Sequence, residues 1–351
     1  MKFKLSYFLI ILFLFNCSFD NQTGVWKEHN KKIIDKAKKD EKSNKIFEQN
    51  EIFDEEIESQ SLSIISQSKQ NLNWIQENFK NSNNIDHLYY KNNKNRVFKS
   101  KKIGKKHSSK DKINLEPLVF NDDIFFYDLK GNIYRYSPQS RKLLWKFNFY
   151  KKKFRNIPIK INYKIILNNL IISDNLGYFY NIDIDTGKLV WAKNQGVPLT
   201  SEIKSFSEKI FLLNQDNKFY IFEKTNGKKV LDFETFPVIL KKNNKQTLSL
   251  DSNNNLFFVT SAGQVFALNH ENYKINWLNN IKDTVSSGEF GLFNSSPIIV
   301  DDNFVYLSSS KSTICLDSLT GLKKWDLPFG TKIRPIVSVN SIFLISRNGF
   351  L

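Results

Sequence analysis

The chain has 351 residues, and its 52 Lys and Arg against 35 Asp and Glu give a formal net charge of +17 at pH 7. A hydrophobic content of 40%, with 31 Phe and 13 Tyr, is ample for a packed core and excludes wholesale disorder, while 13 Gly and 8 Pro exclude a collagen-like chain. Two Cys cannot build a disulfide framework, and four His exclude a histidine-rich metal site.

The N-terminus has the pattern of a secretory signal peptide, predicted over residues 1–16. Lys2 and Lys4 precede an apolar run over residues 5–15, which is too short to span a bilayer. Cys17 follows the run at the position of the cleavage site, and the stretch resembles a bacterial lipobox. Diacylation of Cys17 is therefore expected, which would hold the chain on a membrane through its N-terminal lipid. The alternative is an ordinary signal peptide with an incidental cysteine.

Residues 17–73 differ in composition from the rest of the chain. A basic cluster runs from Lys31 to Lys45, an acidic cluster runs from Glu48 to Glu58, and apolar residues are sparse. Such charge runs are usually solvated, so this region is predicted to be a charged tether. No later segment has enough consecutive apolar residues to be a transmembrane helix.

From residue 116 onward the sequence repeats. Each unit has short alternating strands, a turn with Gly, and a final strand that ends on a large apolar residue. That residue is Trp145, Trp191, Leu231, Trp277 and Trp325 in successive units, with spacings of 46, 40, 46 and 48 residues. A sixth unit begins near residue 334. A period of 40–50 residues with about four strands per unit predicts an all-β chain that folds as a β-propeller over residues 74–351.

Turns and tryptophans in the repeat have predictable structural roles. Glycines such as Gly131 and Gly177 fall at hairpin turns that need a positive φ, and the Thr186-Gly187 pair marks a second turn type. The closing Trp recurs in most units, whereas a cofactor site would occur once. It is therefore predicted to pack between adjacent blades.

The units resemble the repeats of pyrroloquinoline-quinone-type propellers, which have eight blades, when aligned on Gly-x-x-Tyr/Phe-x-apolar-Asp-x-x-Thr-Gly-Lys-x-x-Trp. Within that group they are similar to the alphaproteobacterial BamB family of outer-membrane assembly lipoproteins. Trp74, Gln76 and His87 stand in register with the opening motif of the family's propeller, and Cys17 and the charged tether add to the resemblance.

The resemblance implies a non-catalytic scaffold on the periplasmic face of the outer membrane. Its implied partners are a BamA-like β-barrel assembly protein and unfolded outer-membrane proteins, held by propeller loops and strand edges. The stretch that matches the family's partner-binding loop contains the candidate partner-binding residues Phe290, Leu292, Phe293 and Asn294.

Two other functions remain open at this stage: a quinone-dependent dehydrogenase and a propeller that binds cell-envelope polysaccharide. The resemblance implies that a dehydrogenase would have a Ca²⁺ site and, often, a pair of adjacent cysteines. Here Cys315 stands alone, in a slot that Ala267 fills in the preceding unit, so it is predicted to be a packing residue. The acidic pairs at residues 122–123 and 301–302 are predicted to form turns. We therefore expect no catalytic residue, no cofactor and no metal.

Basic charge is concentrated between Lys80 and Lys112. Because export makes nucleic acid an unsuitable partner, attraction to anionic lipid or to an acidic protein surface is one interpretation, and codon bias is the other.

The sequence stops in the middle of a unit, just after Gly349. It is therefore expected to be a fragment that lacks about 100 residues of an eight-bladed ring. In the alternative, a six-bladed ring, the strand near Trp74 completes the last blade.

Overall fold

The computed structural model describes residues 62–91, 98–104, 116–150, 154, 156–235, 245–253, 255–281, 293–301, 303–309 and 311–345. Within these ranges the regular elements are β-strands, and no α-helix occurs. It follows that no helix in the described residues is long and apolar enough to cross a membrane.

The strands form five four-stranded antiparallel sheets and one two-stranded sheet, which we number as blades 1 to 6. Blade 1 contains β1 Leu118–Phe120, β2 Asp123–Tyr127, β3 Asn132–Ser137 and β4 Lys142–Asn148. Blade 2 contains β5 Ile161–Ile166, β6 Asn169–Asp174, β7 Tyr178–Asp183 and β8 Leu189–Asn194. Blade 3 contains β9 Lys204–Phe206, β10 Lys209–Leu213, β11 Phe219–Glu223 and β12 Lys229–Phe233.

Blade 4 contains β13 Leu248–Leu250, β14 Asn255–Val259, β15 Gln264–Asn269 and β16 Ile275–Asn280. Blade 5 contains β17 Ile299–Val300, β18 Phe304–Ser308, β19 Thr313–Asp317 and β20 Lys323–Leu327. Blade 6 contains β21 Ile336–Ser338 and β22 Ser341–Phe343. In each blade the strands pair in chain order, so every connection within a blade is a hairpin.

Burial increases from the last strand of each blade toward the first three. The second and third strands are apolar on both faces, as in β14, where all five residues are buried. The fourth strand is largely exposed, as in β16. Strands buried on both faces need neighbours on both sides, which stacked blades supply. The fourth strand is thus the outer edge of each blade, and the first strand lies innermost.

Five hydrophobic clusters join consecutive blades. In the first cluster Phe125 of blade 1 packs with Ile172 and Tyr180 of blade 2. The other four clusters join blades 2 and 3, 3 and 4, 4 and 5, and 5 and 6 in the same way. Because each blade packs face to face on the next one in sequence, the predicted all-β propeller architecture with five and a half units is confirmed.

A β-bulge recurs at one place in all five four-stranded blades, between the third and fourth strands. The register shifts lie at residues 135/136, 181/182, 221/222, 267/268 and 315/316. A bulge twists the outer strand locally and interrupts its regular row of backbone groups. It therefore makes the outer edge of each blade a poorer template for unwanted pairing.

Candidate functional site

The innermost strands of the six blades converge on a stretch of the chain that precedes blade 1. This stretch, residues 74–84, is called the axial segment below. Its hydrogen bonds to blades 1, 2 and 3 are Trp74 N–H to Val119 O at 2.7 Å, Ile165 N–H to Ile75 O at 2.8 Å and Asn81 Nδ2 to Ser205 O at 2.9 Å. Those to blades 4, 5 and 6 are Leu250 N–H to Asn81 O at 2.9 Å, Val300 N–H to Ser82 O at 3.0 Å and Asn84 Nδ2 to Val337 O at 2.9 Å. One segment therefore ties six blades together.

A buried ion pair of blade 3 lies against the axial segment. Lys204 Nζ is 2.9 Å from Glu202 Oε2, and their side chains are only 1% and 3% exposed. Asn78 Nδ2 donates to Glu202 Oε1 at 2.6 Å, and Lys204 Nζ donates to Asn83 Oδ1 at 2.5 Å. Burial raises the pKa of Glu202 and lowers that of Lys204. Charges taken out of water need such partners, and the axial asparagines provide them.

Asn81 and Asn83 of the axial segment satisfy other buried groups. Lys164 Nζ donates to Asn81 Oδ1 at 2.7 Å, and burial, with the nearby Lys204, holds the pKa of Lys164 well below its usual range. Asn83 Nδ2 donates to the carbonyls of Leu248 and Ile298, both at 2.8 Å. Each amide thus uses its donor and its acceptor in different blades, which fixes the position of the axial segment.

Two hollows lie at opposite ends of the innermost strands. One has a volume of about 520 Å³, and among its lining residues are Glu77 and the starting end of β5 at Ile161. The other has a volume of about 760 Å³ and is lined by Gln76, Asn81 and the far end of β5 at Ile166. Residues of the axial segment therefore line both hollows.

Two observations bear on the dehydrogenase alternative, which implies a Ca²⁺ site and, often, adjacent cysteines. No three His, Cys, Asp or Glu side chains within these ranges are grouped closely enough to hold a metal ion. Cys315 is buried between blades 5 and 6, and burial raises the pKa of its thiol to about 12. A protonated, buried thiol is a poor nucleophile, which agrees with the predicted packing role.

Acidic residues at the first turn of a blade also have structural roles. Asp122 lies in the turn between β1 and β2 with a φ of 63°. Asp123 is paired with Arg135, with 2.7 Å between Oδ2 and Nε. Asp301 Oδ1 accepts from the backbone N–H groups of Asn303 and Phe304 at 3.0 and 2.8 Å. These observations confirm the predicted turn roles of Asp122 and Asp301, whereas Asp123 is the first residue of β2 and not part of the turn. Asp302 lies outside the described residues.

The closing tryptophans pack between blades, as predicted. Trp145 of blade 1 lies so close to Gly187 of blade 2 that a Cβ there would be 2.7 Å from the indole ring. Its Nε1 donates to Ile184 O at 2.6 Å. The same close approach of an indole ring to a glycine joins Trp191 to Gly227 and Trp277 to Gly321. Glycine is required at these turns for two reasons: φ is positive, and there is no room for a side chain.

The turn itself depends on an Asp that the repeat pattern contains but to which the sequence analysis gave no role. Asp183 Oδ1 accepts from both the backbone N–H and the hydroxyl of Thr186, each at 2.7 Å. Asp317 and Thr320 repeat this arrangement at 2.9 and 3.0 Å in blade 5. The spacing Asp-x-x-Thr-Gly was the available signal, because a carboxylate at that distance caps the turn.

Blade 3 meets blade 4 differently. Leu231 stands in the Trp position, and Tyr273, with a φ of 61°, stands in the Gly position. The backbone hydrogen bond from Tyr273 N–H to Asn269 O, at 2.9 Å, corresponds to the bond from Gly187 N–H to Asp183 O. Both side chains pack on the cluster that joins the two blades. At this interface Leu, which is smaller than the usual Trp, thus faces Tyr, which is larger than the usual Gly.

We expect Leu231→Trp alone to destabilise the chain by about 1–3 kcal/mol, because the indole would meet Tyr273 instead of a glycine. Adding Tyr273→Gly is expected to recover at least about 1 kcal/mol of that loss. A double-mutant cycle of urea unfolding measures the coupling. Strictly additive free energies would show that the two positions do not compensate each other.

The residues predicted from sequence are only partly within the described ranges. Cys17, Phe290 and Leu292 lie outside them. Phe293 is buried at 7% exposure in the cluster between blades 4 and 5, and its N–H donates to Ser261 O at 2.9 Å. Asn294 is exposed. Of the two described residues, Phe293 and Asn294, only Asn294 lies at the surface.

The opening motif is split between the axial segment and the surface. Trp74 packs on the cluster of blades 1 and 2, and Gln76 is buried beside Lys164. His87 is exposed, with its Nδ1 2.7 Å from Ser66 O. Ser66 lies in the stretch predicted as the tether, and its N–H donates to Ser338 Oγ of blade 6 at 3.2 Å. The boundary at residue 74 stays a prediction.

Similar proteins point to one family. A family model described as outer membrane protein assembly factor BamB matches residues 129–351. An uncharacterized protein of Rickettsia prowazekii (strain Madrid E) is 24% identical over 249 residues, which is 68% of this chain and 59% of the relative. The chain thus spans less than two thirds of that relative's length.

Solved structures share the fold. BamB from Moraxella catarrhalis aligns with a TM-score of 0.53 at 15% identity, covering 67% of each chain. A europium-containing methanol dehydrogenase aligns with a TM-score of 0.56 at 13% identity, covering 79% of this chain and 60% of the enzyme. Because the family model covers more than half of the sequence and its repeats are the blades described above, this chain belongs to the family of the outer membrane protein assembly factor BamB.

Proposed function

We propose that this chain is a non-catalytic scaffold of the outer-membrane β-barrel assembly machinery. The observation that carries the proposal is the axial segment: in a chain of this family, residues 74–84 form hydrogen bonds to six blades. A segment that ties six blades together favours a rigid body that works through its outer surfaces.

The proposed partners are a BamA-like assembly protein and unfolded outer-membrane proteins. Propeller loops and strand edges suit such partners because they offer polar contacts and unpaired backbone groups to an extended segment. The stretch at residues 290–294 remains a proposed contact with the assembly protein. Within it, the exposed Asn294 is the described residue that a partner can reach.

We further propose that the chain acts on the periplasmic face of the outer membrane and is held there by a lipid on Cys17. The apolar run before Cys17 supports export, and a lipid would retain the exported chain at a membrane surface without spanning it.

The test is crosslinking in cells of the source organism, followed by purification of the tagged chain from the envelope. We expect a BamA-like protein to be recovered with the wild-type chain. The Cys17→Ser variant should lose its membrane association. Recovery of no assembly component, together with dye-linked turnover of alcohols after addition of quinone and Ca²⁺, would instead identify a dehydrogenase. Retention on a polysaccharide column without an assembly partner would identify a glycan-binding propeller.

A further inference from the structure

The larger hollow, of about 760 Å³, has a buried lysine and a buried amide in its lining. These residues are Lys164 and Gln76, and each is only 4% exposed. They pair across an antiparallel bridge between the axial segment and β5. Opposite residues of such a pair lie on the same face, with their Cβ atoms about 4.5–5.5 Å apart. The two side chains are thus neighbours at the wall of this hollow.

Lys164 has fewer acceptors than the other buried lysine of this region. Lys204 Nζ has three oxygen atoms around it at 2.5, 2.9 and 3.2 Å, one of them from the Glu202 carboxylate. Within the described ranges Lys164 Nζ donates to Asn81 Oδ1 alone, and no carboxylate lies within ion-pair distance of it. An ammonium group has three N–H donors, and a buried charge without a counter-charge is costly. Lys164 therefore lacks an anion.

Gln76 has an acceptor that is also unused. Its Nε2 donates to Phe79 O at 3.3 Å, which fixes the orientation of the amide. Its Oε1 is buried and has no hydrogen-bond partner among the described residues. A buried carbonyl oxygen without a donor is costly as well. The wall of the larger hollow thus lacks one anion and one hydrogen-bond donor, side by side.

The other charged residues of the lining have partners on the chain itself. Two ion pairs hold the other lysines, Lys80 with Asp86 at 2.5 Å and Lys224 with Glu208 at 2.8 Å. The two remaining carboxylates each accept the backbone N–H of the first residue of the next strand at 2.8 Å, and they belong to Asp251 and Asp301. Within the described part of the chain, the counter-charge is thus missing only for Lys164.

Much of the remaining lining is apolar. It includes side chains from the axial segment and from the innermost strands of blades 2, 4 and 5, namely Ile75, Phe79, Ile166, Leu250 and Val300. Apolar walls with a few convergent polar groups are typical of sites for small molecules, and a volume of this size is sufficient for one. The hollow is therefore suited to a small molecule with an anionic end and an apolar body.

We propose that the larger hollow binds a small 2-hydroxy carboxylate with an apolar chain. The carboxylate lies against Lys164 Nζ, the hydroxyl on the neighbouring carbon donates to Gln76 Oε1, and the chain contacts the apolar lining. A hydroxyl fits better than an amino group, because an amino group would add a second cation beside Lys164. The ligand would join the axial segment to blade 2 and stabilise the folded chain by mass action. This site goes beyond the proposed scaffold function and does not depend on it.

Isothermal titration calorimetry of the purified full chain tests the proposal, with 2-hydroxy-4-methylpentanoate as the probe. Two analogues each lack one feature: 4-methylpentanoate lacks the hydroxyl, and 2-hydroxy-4-methylpentanamide lacks the charge. We expect each analogue to bind at least about tenfold more weakly than the probe, since each leaves one buried group without a partner. The probe should also raise the midpoint of thermal unfolding more than either analogue does at the same concentration.

Three variants locate the site. Lys164→Met removes the buried charge and should weaken binding of the probe at least about tenfold. The matched control is Lys224→Met, which removes a lysine of the same lining that already has Glu208 as its partner. Its affinity for the probe should stay within about twofold of wild type. Gln76→Glu places a carboxylate beside Lys164, so the chain itself supplies the missing anion and the probe should no longer bind.

Absence of binding to the wild-type chain at about 10 mM probe would overturn the proposal. So would equal affinity for the probe and its two analogues, or equal binding of the probe by wild type and Lys164→Met. If the variants do not fold, the comparison of the probe with its analogues on the wild-type chain decides the question.

Discussion

Glu202→Gln is expected to lower the free energy of unfolding by about 3–5 kcal/mol. The substitution removes the carboxylate that neutralises Lys204, and both side chains are almost fully buried. Breaking a buried ion pair leaves a charge without compensation in a medium of low polarity. Asn78, which donates to Glu202 in the wild type, would lose a charged acceptor as well. Urea denaturation followed by far-UV circular dichroism measures the change.

The matched control is Glu208→Gln, which breaks an ion pair with Lys224 that spans 2.8 Å at the surface. Exposed pairs contribute little, so this loss should stay below about 1 kcal/mol. Comparable losses in the two variants would contradict the assignment of the Glu202 pair as a buried support of the axial segment.

The Glu202→Gln variant should also show a distinctive pH dependence. Burial already lowers the pKa of Lys204, and without the opposing carboxylate that pKa falls further. The unfolded chain then binds more protons than the folded chain, so stability rises as pH is raised toward about 10.4, the ordinary pKa of lysine. A flat profile on the alkaline side would mean that Lys204 has found another partner.

Gly227→Ala is expected to cost about 3 kcal/mol or more. Gly227 has a φ of +65°, and a Cβ there would lie 2.6 Å from the indole of Trp191. Alanine would suffer both the left-handed backbone, at about 1–2 kcal/mol, and overpacking, at about 1–3 kcal/mol. The indole belongs to the neighbouring blade, so the cost falls on the contact between blades 2 and 3.

Gly196→Ala separates the two effects. Gly196 has a φ of +74°, but nothing lies within 4 Å of its added Cβ. Its substitution should cost only the backbone part, about 1–2 kcal/mol. Thermal unfolding of the two variants side by side provides the comparison. An equal loss would show that the Trp191 contact yields easily and that φ alone makes glycine necessary at position 227.

Local sequence was sufficient for the repeat architecture. Alternating apolar strands, glycine turns and a closing Trp every 40–50 residues are short-range signals, and each reports on one hairpin or one blade contact. Blades 1 to 5 and the packing of Trp145 on Gly187 follow from them. Leu231 was also visible as a departure from the repeat, although the interface that it shares with Tyr273 was not.

Contacts far apart in the sequence were decided by the tertiary structure. Nothing near Asn84 indicates that its amide binds Val337, 253 residues away. Lysine is usually a surface residue, yet Lys164 and Lys204 are buried because the axial segment brings asparagine carbonyls to them. Phe293 matched a partner-binding stretch in sequence, but the packing of blade 4 on blade 5 buries its ring.

By itself, then, the sequence determined the all-β class, the strand repeat and the resemblance to the BamB family, because strand periodicity and turn chemistry are encoded residue by residue. The three-dimensional arrangement decided the course of the axial segment, the burial of the Glu202 and Lys204 pair, and the burial of Phe293 between blades 4 and 5. Those features depend on which blades meet, and a contact between distant segments leaves no periodic signal in either one.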